Sequence, residues 1–217
     1  MNFELFTDEP PERRNETLAP GAMWLRGFAW PQADELLAAL ETVTQQAPFR
    51  QMVTPGGYTM SVAMSNCGPL GWVSDELGYR YSAQDPLTGE PWPAMPTCFL
   101  RLSQAAAHEA GYDGFAPDAC LINRYAVGAK LSLHQDKDEL DLRQPIVSVS
   151  LGLGAVFLFG GRKRSDSCRR LALMHGDVVV WGGASRLNYH AILPLKRGPL
   201  PMGMSDEVRL NLTFRKV

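Results

Sequence analysis

The sequence lacks several features that would assign it to a particular class of protein. No run of apolar residues is long enough to span a membrane, and the first twenty residues lack the basic and then apolar order of a secretory signal. The four cysteines include no C-x-x-C pair, which argues against a zinc knuckle and favours reduced thiols. These absences predict a cytoplasmic protein with no membrane partner.

The sequence also lacks a positive net charge, internal repeats and low-complexity tracts. A formal net charge of −2 argues against binding nucleic acid mainly by bulk electrostatics, although a local basic stripe can still contact a few phosphates. The basic cluster GRKRSDSCRR, which ends at Arg170, is typical of a solvated hairpin tip. With 217 residues, 45% of them hydrophobic, the chain is long enough to bury one substantial core.

Composition and periodicity divide the chain into a short tail and one domain. Residues 1–20 are polar, rich in Pro and Glu, and aperiodic, so we expect a disordered tail followed by a single domain over 21–217. Apolar residues at helical spacing predict an amphipathic helix between Pro31 and Pro48, and a second that ends near Gly111. Two helices therefore precede the β-rich part.

From about residue 118 the pattern changes to short runs of strand-forming residues separated by Gly, Pro and Asp. These runs are ACLINRYA, PIVSVSLGL, AVFLFG, RRLALM, DVVVWG, RLNYHAIL and VRLNLTFR. Strands at this spacing predict a mainly β fold with flanking helices, whose core over 118–217 is a jelly roll. The glycine-rich segment 51–82 is either a binding lid or an extra hairpin that buttresses the barrel.

The stretch KLSLHQDKDE places His134 and Asp136 two positions apart in a strand-like run. Alternate residues of a strand share one face, so both side chains could bind one ion. His190 in RLNYHAIL is a candidate third ligand, and two imidazoles with one carboxylate form the facial triad of non-haem Fe(II) oxygenases. Taken alone, His190 is more typical of a half-buried strand histidine, and the H-x-D pair alone is a weak signal.

The last strand, VRLNLTFR, alternates strictly between apolar and polar residues. If its polar face is solvent-exposed, the arginines need no partner. If that face points into the barrel, an inward Arg209 requires a carboxylate or a phosphate, because an unpaired buried arginine costs several kcal/mol. In LINRY, Asn123 and Tyr125 share a face and could bind the same ligand.

Taken together, these segments resemble the AlkB family of Fe(II)- and 2-oxoglutarate-dependent dioxygenases. The resemblance runs from about Phe49 to Arg215 and rests on FRQMVTPGGYTMSVAMSNCG, PDACLINRYAVGAKLSLHQDKDE and RLNLTFR. It implies a double-stranded β-helix, or cupin-like jelly roll, with segment 51–82 as a nucleotide-recognition lid. The resemblance implies that Fe(II) is held by His134, Asp136 and His190, which are also the catalytic residues.

The resemblance also assigns the remaining site residues. It implies that Arg209 pairs with the far carboxylate of 2-oxoglutarate, and that the further co-substrate contacts are Asn123, Tyr125, Asn211 and Arg215. It implies that Trp72 and His134 sandwich a flipped base while Asp138 faces the polar edge of that base. It further implies substrate contacts by Thr54, Met64, Tyr79, Lys130 and Arg164.

The activity implied by the resemblance is oxidative demethylation of alkylated bases with Fe(II), 2-oxoglutarate and O₂, which releases formaldehyde, succinate and CO₂. The expected substrate is alkylated single-stranded DNA, then duplex DNA and RNA, and the expected state is a monomer. Three other hypotheses stay open at this point. They are a 2-oxoglutarate hydroxylase of a protein or small molecule, a catalytically silent reader of nucleic acid, and a zinc hydrolase with the same ligands.

Overall fold

The computed structural model describes residues 12–217. Within this range the chain forms two α-helices, α1 (Ala33–Gln46) and α2 (Thr97–Glu109). The strands are β1 (Arg14–Ala19), β2 (Ala22–Arg26), β3 (Arg50–Val53), β4 (Thr59–Cys67), β5 (Gly71–Asp75), β6 (Gly78–Ser82), β7 (Ala119–Ala126), β8 (Leu131–His134), β9 (Ile146–Gly152), β10 (Ala155–Phe159), β11 (Arg169–Leu173), β12 (Val178–Trp181), β13 (His190–Ile192) and β14 (Val208–Arg215). Both predicted helices are confirmed, and each predicted run after residue 118 contains a strand, but six further strands, β1–β6, precede that point.

Two antiparallel sheets form the body of the fold. The larger sheet has the order β1-β2-β12-β9-β14-β7-β4-β3, and the smaller has the order β11-β10-β13-β8. Aromatic and branched side chains such as Phe157, Phe159, Trp181 and Ile192 fill the core between the sheets. The prediction of a mainly β jelly roll with flanking helices is confirmed.

In strand β14, packing of the helices on the apolar face determines that the polar face points into the barrel. Leu210, Leu212 and Phe214 pack in one core cluster with residues of α1 and α2, and the ring of Phe214 lies 6.0 Å from that of Phe99. The alternating residues, Arg209 among them, line a cavity on the opposite face. Because the helices cover the apolar face, the polar face of β14 points into the barrel.

The N-terminal expectation is wrong for part of its range. Residues 1–11 lie outside the described residues, but Arg14–Ala19 form β1 and pair with β2 in register Asn15↔Leu25. Leu18 is buried, and Glu16 forms an ion pair with Arg169 at 2.7 Å. A polar strand is stable here because its backbone groups pair with a neighbour that is already held by β12.

The segment 51–82 is divided between two structures. Strands β3 and β4 extend the large sheet beyond β7, which fits the alternative of a buttressing hairpin. Strands β5 and β6 form a separate two-stranded sheet. Strands β7–β14 all lie within the predicted core of 118–217, and the large sheet reaches further through β1–β4. The single domain over 21–217 and the lid role of 51–82 stay predictions.

No helix within residues 12–217 has the length and apolar character needed to cross a membrane.

Gly152 permits the close approach of β9 and β14, since it pairs with Arg209 and has a φ of +83°. An added Cβ would overlap the carbonyl oxygen of Val208. We expect Gly152→Ala to lower the free energy of unfolding by about 2–5 kcal/mol, the sum of the left-handed backbone cost and a packing clash. At Gly128, φ is +88° but nothing lies within 4 Å, so Gly128→Ala should cost only about 1–2 kcal/mol. Equal losses in urea unfolding would contradict this account.

Candidate active site

Two neighbouring strands and the loop after one of them bring three potential metal ligands together. His134 ends β8, His190 begins β13, and the two residues are direct cross-strand partners. Asp136 follows two residues after His134. One potential ligand atom from each of the three residues lies within 4.8 Å of the others. The run RLNYHAIL predicts a longer strand than the structure shows, since β13 covers only His190–Ile192.

Backbone carbonyls fix the orientation of both imidazoles. The Nδ1 of His134 lies 2.8 Å from the carbonyl oxygen of Ser132, and that of His190 lies 3.1 Å from the carbonyl oxygen of Asn188. A carbonyl only accepts, so each Nδ1 carries a proton, and Nε2 is the ring nitrogen that remains to bind a metal. The two Nε2 atoms lie 3.6 and 3.8 Å from carboxylate oxygens of Asp136. Burial lowers the pKa of His190 to about 4, so this ring is neutral at pH 7.

The carboxylate of Asp136 belongs to a buried network of charges. Arg215 donates to Asp136 Oδ2 from Nη2 at 2.7 Å and from Nε at 3.2 Å. Burial acts to raise the pKa of Asp136, but Arg215 and the two histidines outweigh it and hold that pKa well below its usual value. Arg186 donates to the carbonyl oxygen of Asp136 at 2.7 Å and to Glu139 at 2.8 Å. Asp136 is therefore ionised and held at both its backbone and its side chain.

Arg209 is a buried cation with unmet hydrogen-bonding capacity. Its exposed fraction is 1%, and its Nη2 donates to the hydroxyl of Ser150 at 3.0 Å. Among residues 12–217, Nε and Nη1 find no hydrogen-bond partner. The guanidinium lies 5.0 Å from the ring centre of Tyr125, and burial lowers the pKa of Arg209. A planar fork with two free donors in the protein interior fits a carboxylate.

The other polar residues of this wall hydrogen-bond to one another. Asn123 Nδ2 donates to Asn211 Oδ1 at 3.2 Å, and Thr213 donates to the same oxygen at 3.0 Å. Asn211 Nδ2 donates to the hydroxyl of Ser148 at 2.8 Å. These contacts fix the amides of Asn123 and Asn211 on the face that also carries Arg209.

An aromatic pair and a carboxylate line another part of the site. Trp72 of β5 and Tyr79 of β6 stack with ring centres 5.6 Å apart and planes 14° apart. The indole Nε1 of Trp72 donates to Asp138 Oδ2 at 3.0 Å. Stacked aromatic faces beside a carboxylate suit a flat ligand that carries positive charge.

The remaining predicted residues lie around these groups. Arg164 donates to the carbonyl oxygen of Leu133 at 2.9 Å, and the backbone of Lys130 is bonded to the Ser61 hydroxyl. Thr54 forms a turn by accepting from the backbone amide of Tyr58. A single cavity of about 640 Å³ is lined by every predicted site residue: Thr54, Met64, Trp72, Tyr79, Asn123, Tyr125, Lys130, His134, Asp136, Asp138, Arg164, His190, Arg209, Asn211 and Arg215.

Several residues that hold the site were not predicted. Tyr81 donates to Glu139 at 2.6 Å, and Glu139 also pairs with Arg186. Asn66 is hydrogen-bonded to the backbone of Trp72. Glu139 stands in a charged run, where nothing in the spacing separates a buried carboxylate from a solvated one. Asn66 lies in FRQMVTPGGYTMSVAMSNCG and Arg186 opens RLNYHAIL, but neither residue type at its position indicates a contact with another segment.

The donor set fits a non-haem iron with an organic co-substrate. Two imidazoles and one carboxylate converge on one point, which is the ligand set that leaves adjacent positions of an octahedral Fe(II) open. The unpaired fork of Arg209 in the same cavity fits the carboxylate of a dicarboxylic acid. A zinc hydrolase would give Arg209 no partner.

Comparisons with known proteins agree with this fit. The model of the 2OG-Fe(II) oxygenase superfamily matches residues 21–215. The chain is 63% identical, over 99% of its length and 97% of the relative's, to the alpha-ketoglutarate-dependent dioxygenase AlkB of Salmonella typhimurium. It is 32% identical, over 75% of its length, to the nucleic acid dioxygenase ALKBH1 of Mus musculus, of which it covers 38%. The solved structure of OsALKBH1, 28% identical, superposes with a TM-score of 0.81 over 94% of this chain and 100% of that one. The chain belongs to the AlkB family of Fe(II)- and 2-oxoglutarate-dependent dioxygenases.

Proposed function

We propose that the protein is an oxidative demethylase of N-alkylated bases such as 1-methyladenine and 3-methylcytosine. Its preferred substrate is single-stranded DNA, with duplex DNA and RNA as further substrates. The observation that carries the proposal is that one cavity holds both sets of groups. The His134, Asp136, His190 and Arg209 set suits oxygenase chemistry, and the stacked aromatic pair with its carboxylate suits a cationic base.

Each group of the first set has a defined task in this proposal. The triad holds Fe(II), and Arg209 pairs with the far carboxylate of 2-oxoglutarate. The further co-substrate contacts are Asn123, Tyr125, Asn211 and Arg215. When bound, iron and 2-oxoglutarate supply the O₂-dependent oxidation of an alkyl C–H bond, with formaldehyde, succinate and CO₂ as products. Hydrogen bonds from the two imidazoles to backbone carbonyls, and the ion pair of Arg215 with Asp136, orient the three side chains that hold the metal.

The second set explains the choice of base. Methylation at N1 of adenine or N3 of cytosine adds positive charge and blocks normal pairing, so the base is less costly to extrude from a duplex. We propose that Trp72 and the imidazole of His134 sandwich this base and that Asp138 faces its polar edge. Tyr79 and Thr54 contact the nucleic-acid backbone. The remaining substrate contacts are Met64, Lys130 and Arg164.

A 2-oxoglutarate hydroxylase of a protein or small molecule would share the first set of residues. It would leave the stacked Trp72 and Tyr79 beside Asp138 without a role. For this reason a base is the favoured substrate. The mouse relative named a nucleic acid dioxygenase supports the same choice. The cytoplasmic location and the monomeric state stay predictions.

Removal of any triad ligand should abolish iron binding and turnover, because two ligands do not hold a labile Fe(II) firmly. The variants are His134→Ala, Asp136→Ala and His190→Ala. His108→Ala removes an exposed imidazole outside the cavity and is the control. Bound Fe(II) is measured by anaerobic equilibrium dialysis, and turnover by formaldehyde release. A triad variant that retains wild-type iron content would show that its ligand is wrongly assigned.

Arg209→Ala should raise the 2-oxoglutarate concentration for half-maximal rate by about two to three and a half decades, since a lost partner of a buried ion pair costs about 3–5 kcal/mol. Affinity for the oligonucleotide should change far less. Arg209→Lys keeps the charge and loses the fork, so its effect should be intermediate. Succinate release at varied 2-oxoglutarate measures the three proteins. An unchanged 2-oxoglutarate dependence of Arg209→Ala would exclude this role.

Trp72→Ala should weaken binding of a methylated single strand by about 1–3 kcal/mol, the loss expected for one base-stacking aromatic. Asp138→Asn should act differently, because it keeps an oxygen that can accept from the Trp72 indole and removes the charge. We expect it to slow repair of cationic 1-methyladenine and 3-methylcytosine more than repair of neutral 3-methylthymine. Demethylation rates on matched strands measure the ranking. If Asp138→Asn left the ranking unchanged, Asp138 would have no electrostatic role in base selection.

A further inference from the structure

The hairpin that carries Trp72 depends on side chains for its attachment. Strands β5 and β6 pair with each other in a two-stranded sheet, separate from the ladder of the large sheet. Just before the hairpin, the amide of Leu70 donates to the carbonyl oxygen of Asp118 at 3.1 Å. Within β5 itself, side chains supply the contacts to β3 and β4. Ser74 donates to the carbonyl oxygen of Val53 at 2.7 Å, and Asn66 contacts Trp72.

Asn66 holds the backbone of Trp72 at both of its polar groups. Its Nδ2 donates to the carbonyl oxygen of Trp72 at 3.0 Å, and its Oδ1 accepts from the Trp72 amide at 3.0 Å. Asn66 is 0% exposed and lies on β4, where it pairs in register with Leu121 of β7. A side-chain amide has both a donor and an acceptor, so it can replace the pair of backbone hydrogen bonds that a neighbouring strand would otherwise supply.

This backbone clamp sets the position of the indole. With its amide and carbonyl held, Trp72 directs its side chain onto the ring of Tyr79 and places Nε1 3.0 Å from Asp138. Trp72 is thus held at its backbone by Asn66, at one face of its indole by Tyr79 and at the indole Nε1 by Asp138. An aromatic that is held in its binding position loses less conformational entropy when it stacks on a base.

We propose that Asn66 is a positioning residue that determines specificity by presenting Trp72 to the extruded base. This inference rests on the proposed function, in which Trp72 stacks on that base. Asn66 is not among the residues that line the cavity, so it acts only through Trp72. Its loss should therefore weaken selection of the damaged base and leave the iron and 2-oxoglutarate contacts unchanged.

The experiment compares four variants with the wild type: Asn66→Ala, Ser74→Ala, Trp72→Ala and the double variant Asn66→Ala/Trp72→Ala. The probe is a fluorescent single strand with one 1-methyladenine, and its undamaged counterpart is the reference. Dissociation constants are measured by anisotropy under anaerobic conditions with Fe(II) and 2-oxoglutarate. Ser74→Ala is the matched control, because it removes another buried anchor of the same strand two residues from Trp72.

We expect Asn66→Ala to weaken binding of the methylated strand by about 5- to 50-fold, within the range for loss of the stacking aromatic itself. The dissociation constant of Ser74→Ala should stay within about twofold of the wild-type value. That of the double variant should stay within about twofold of the value for Trp72→Ala, because two residues that act through one contact do not have additive effects. The 2-oxoglutarate dependence should be unchanged in all variants. Asn66→Ser, whose shorter neutral side chain can bond only one of the two backbone groups, should show a smaller loss of the same kind.

The outcomes separate this inference from the proposed function. If Trp72→Ala weakens binding and Asn66→Ala does not, the inference alone is wrong. If Asn66→Ala weakens binding equally with and without Trp72, it acts through general destabilisation and the inference is wrong. If Trp72→Ala binds like wild type, the stacking role in the proposed function is wrong and the inference falls with it. Should Asn66→Ala fail to fold by circular dichroism, wild-type binding by Asn66→Ser would overturn the inference.

Discussion

The pairing of buried charges around Asp136 is the constraint on which the cavity depends. Removing an ionised carboxylate from water costs several kcal/mol unless cations and hydrogen bonds replace the solvent. Here Arg215 and Arg186 supply the cations, and Tyr81 supplies a hydroxyl to the neighbouring Glu139. These groups come from β14, from the turn after β12 and from the β5–β6 hairpin. Satisfying the two buried carboxylates of Asp136 and Glu139 therefore fixes segments that are far apart in sequence, and it does so at the iron site.

The same requirement explains the composition of β14. A strand covered on both faces is commonly apolar throughout, yet this one alternates strictly while all eight of its residues are buried. The sequence alone shows that Arg209 and Arg215 share a face, because alternation has a period of two. It does not show which face points inward, since that depends on α1 and α2 covering Leu210 and Leu212. The sequence predicts the two helices from their periodicity, but it does not predict which face of the sheet they pack against.

Residues with a chemical signature were predictable, and residues that act through geometry were not. The H-x-D pair, the distal histidine and the two arginines of RLNLTFR stand in motifs, and all of them line the cavity. Asn66 and Arg186 act through backbone groups of other segments, so the pattern of their own segments does not reveal these roles. The strand Arg14–Ala19 was missed for a related reason. Its pairing with β2 satisfies the backbone whatever its side chains are, whereas composition describes only side chains.

The unpaired guanidinium of Arg209 has a consequence for the lifetime of the folded chain. A buried cation with two unmatched donors raises the free energy of the native state, and an anion that matches them binds that state alone. By mass action, such a ligand at about one hundred times its dissociation constant stabilises the fold by about 2.7 kcal/mol. That gain lowers the unfolded population accessible to proteases by about two orders of magnitude. The stability of the fold should therefore rise with the concentration of a matching dicarboxylate, separately from any effect on the rate of the enzyme.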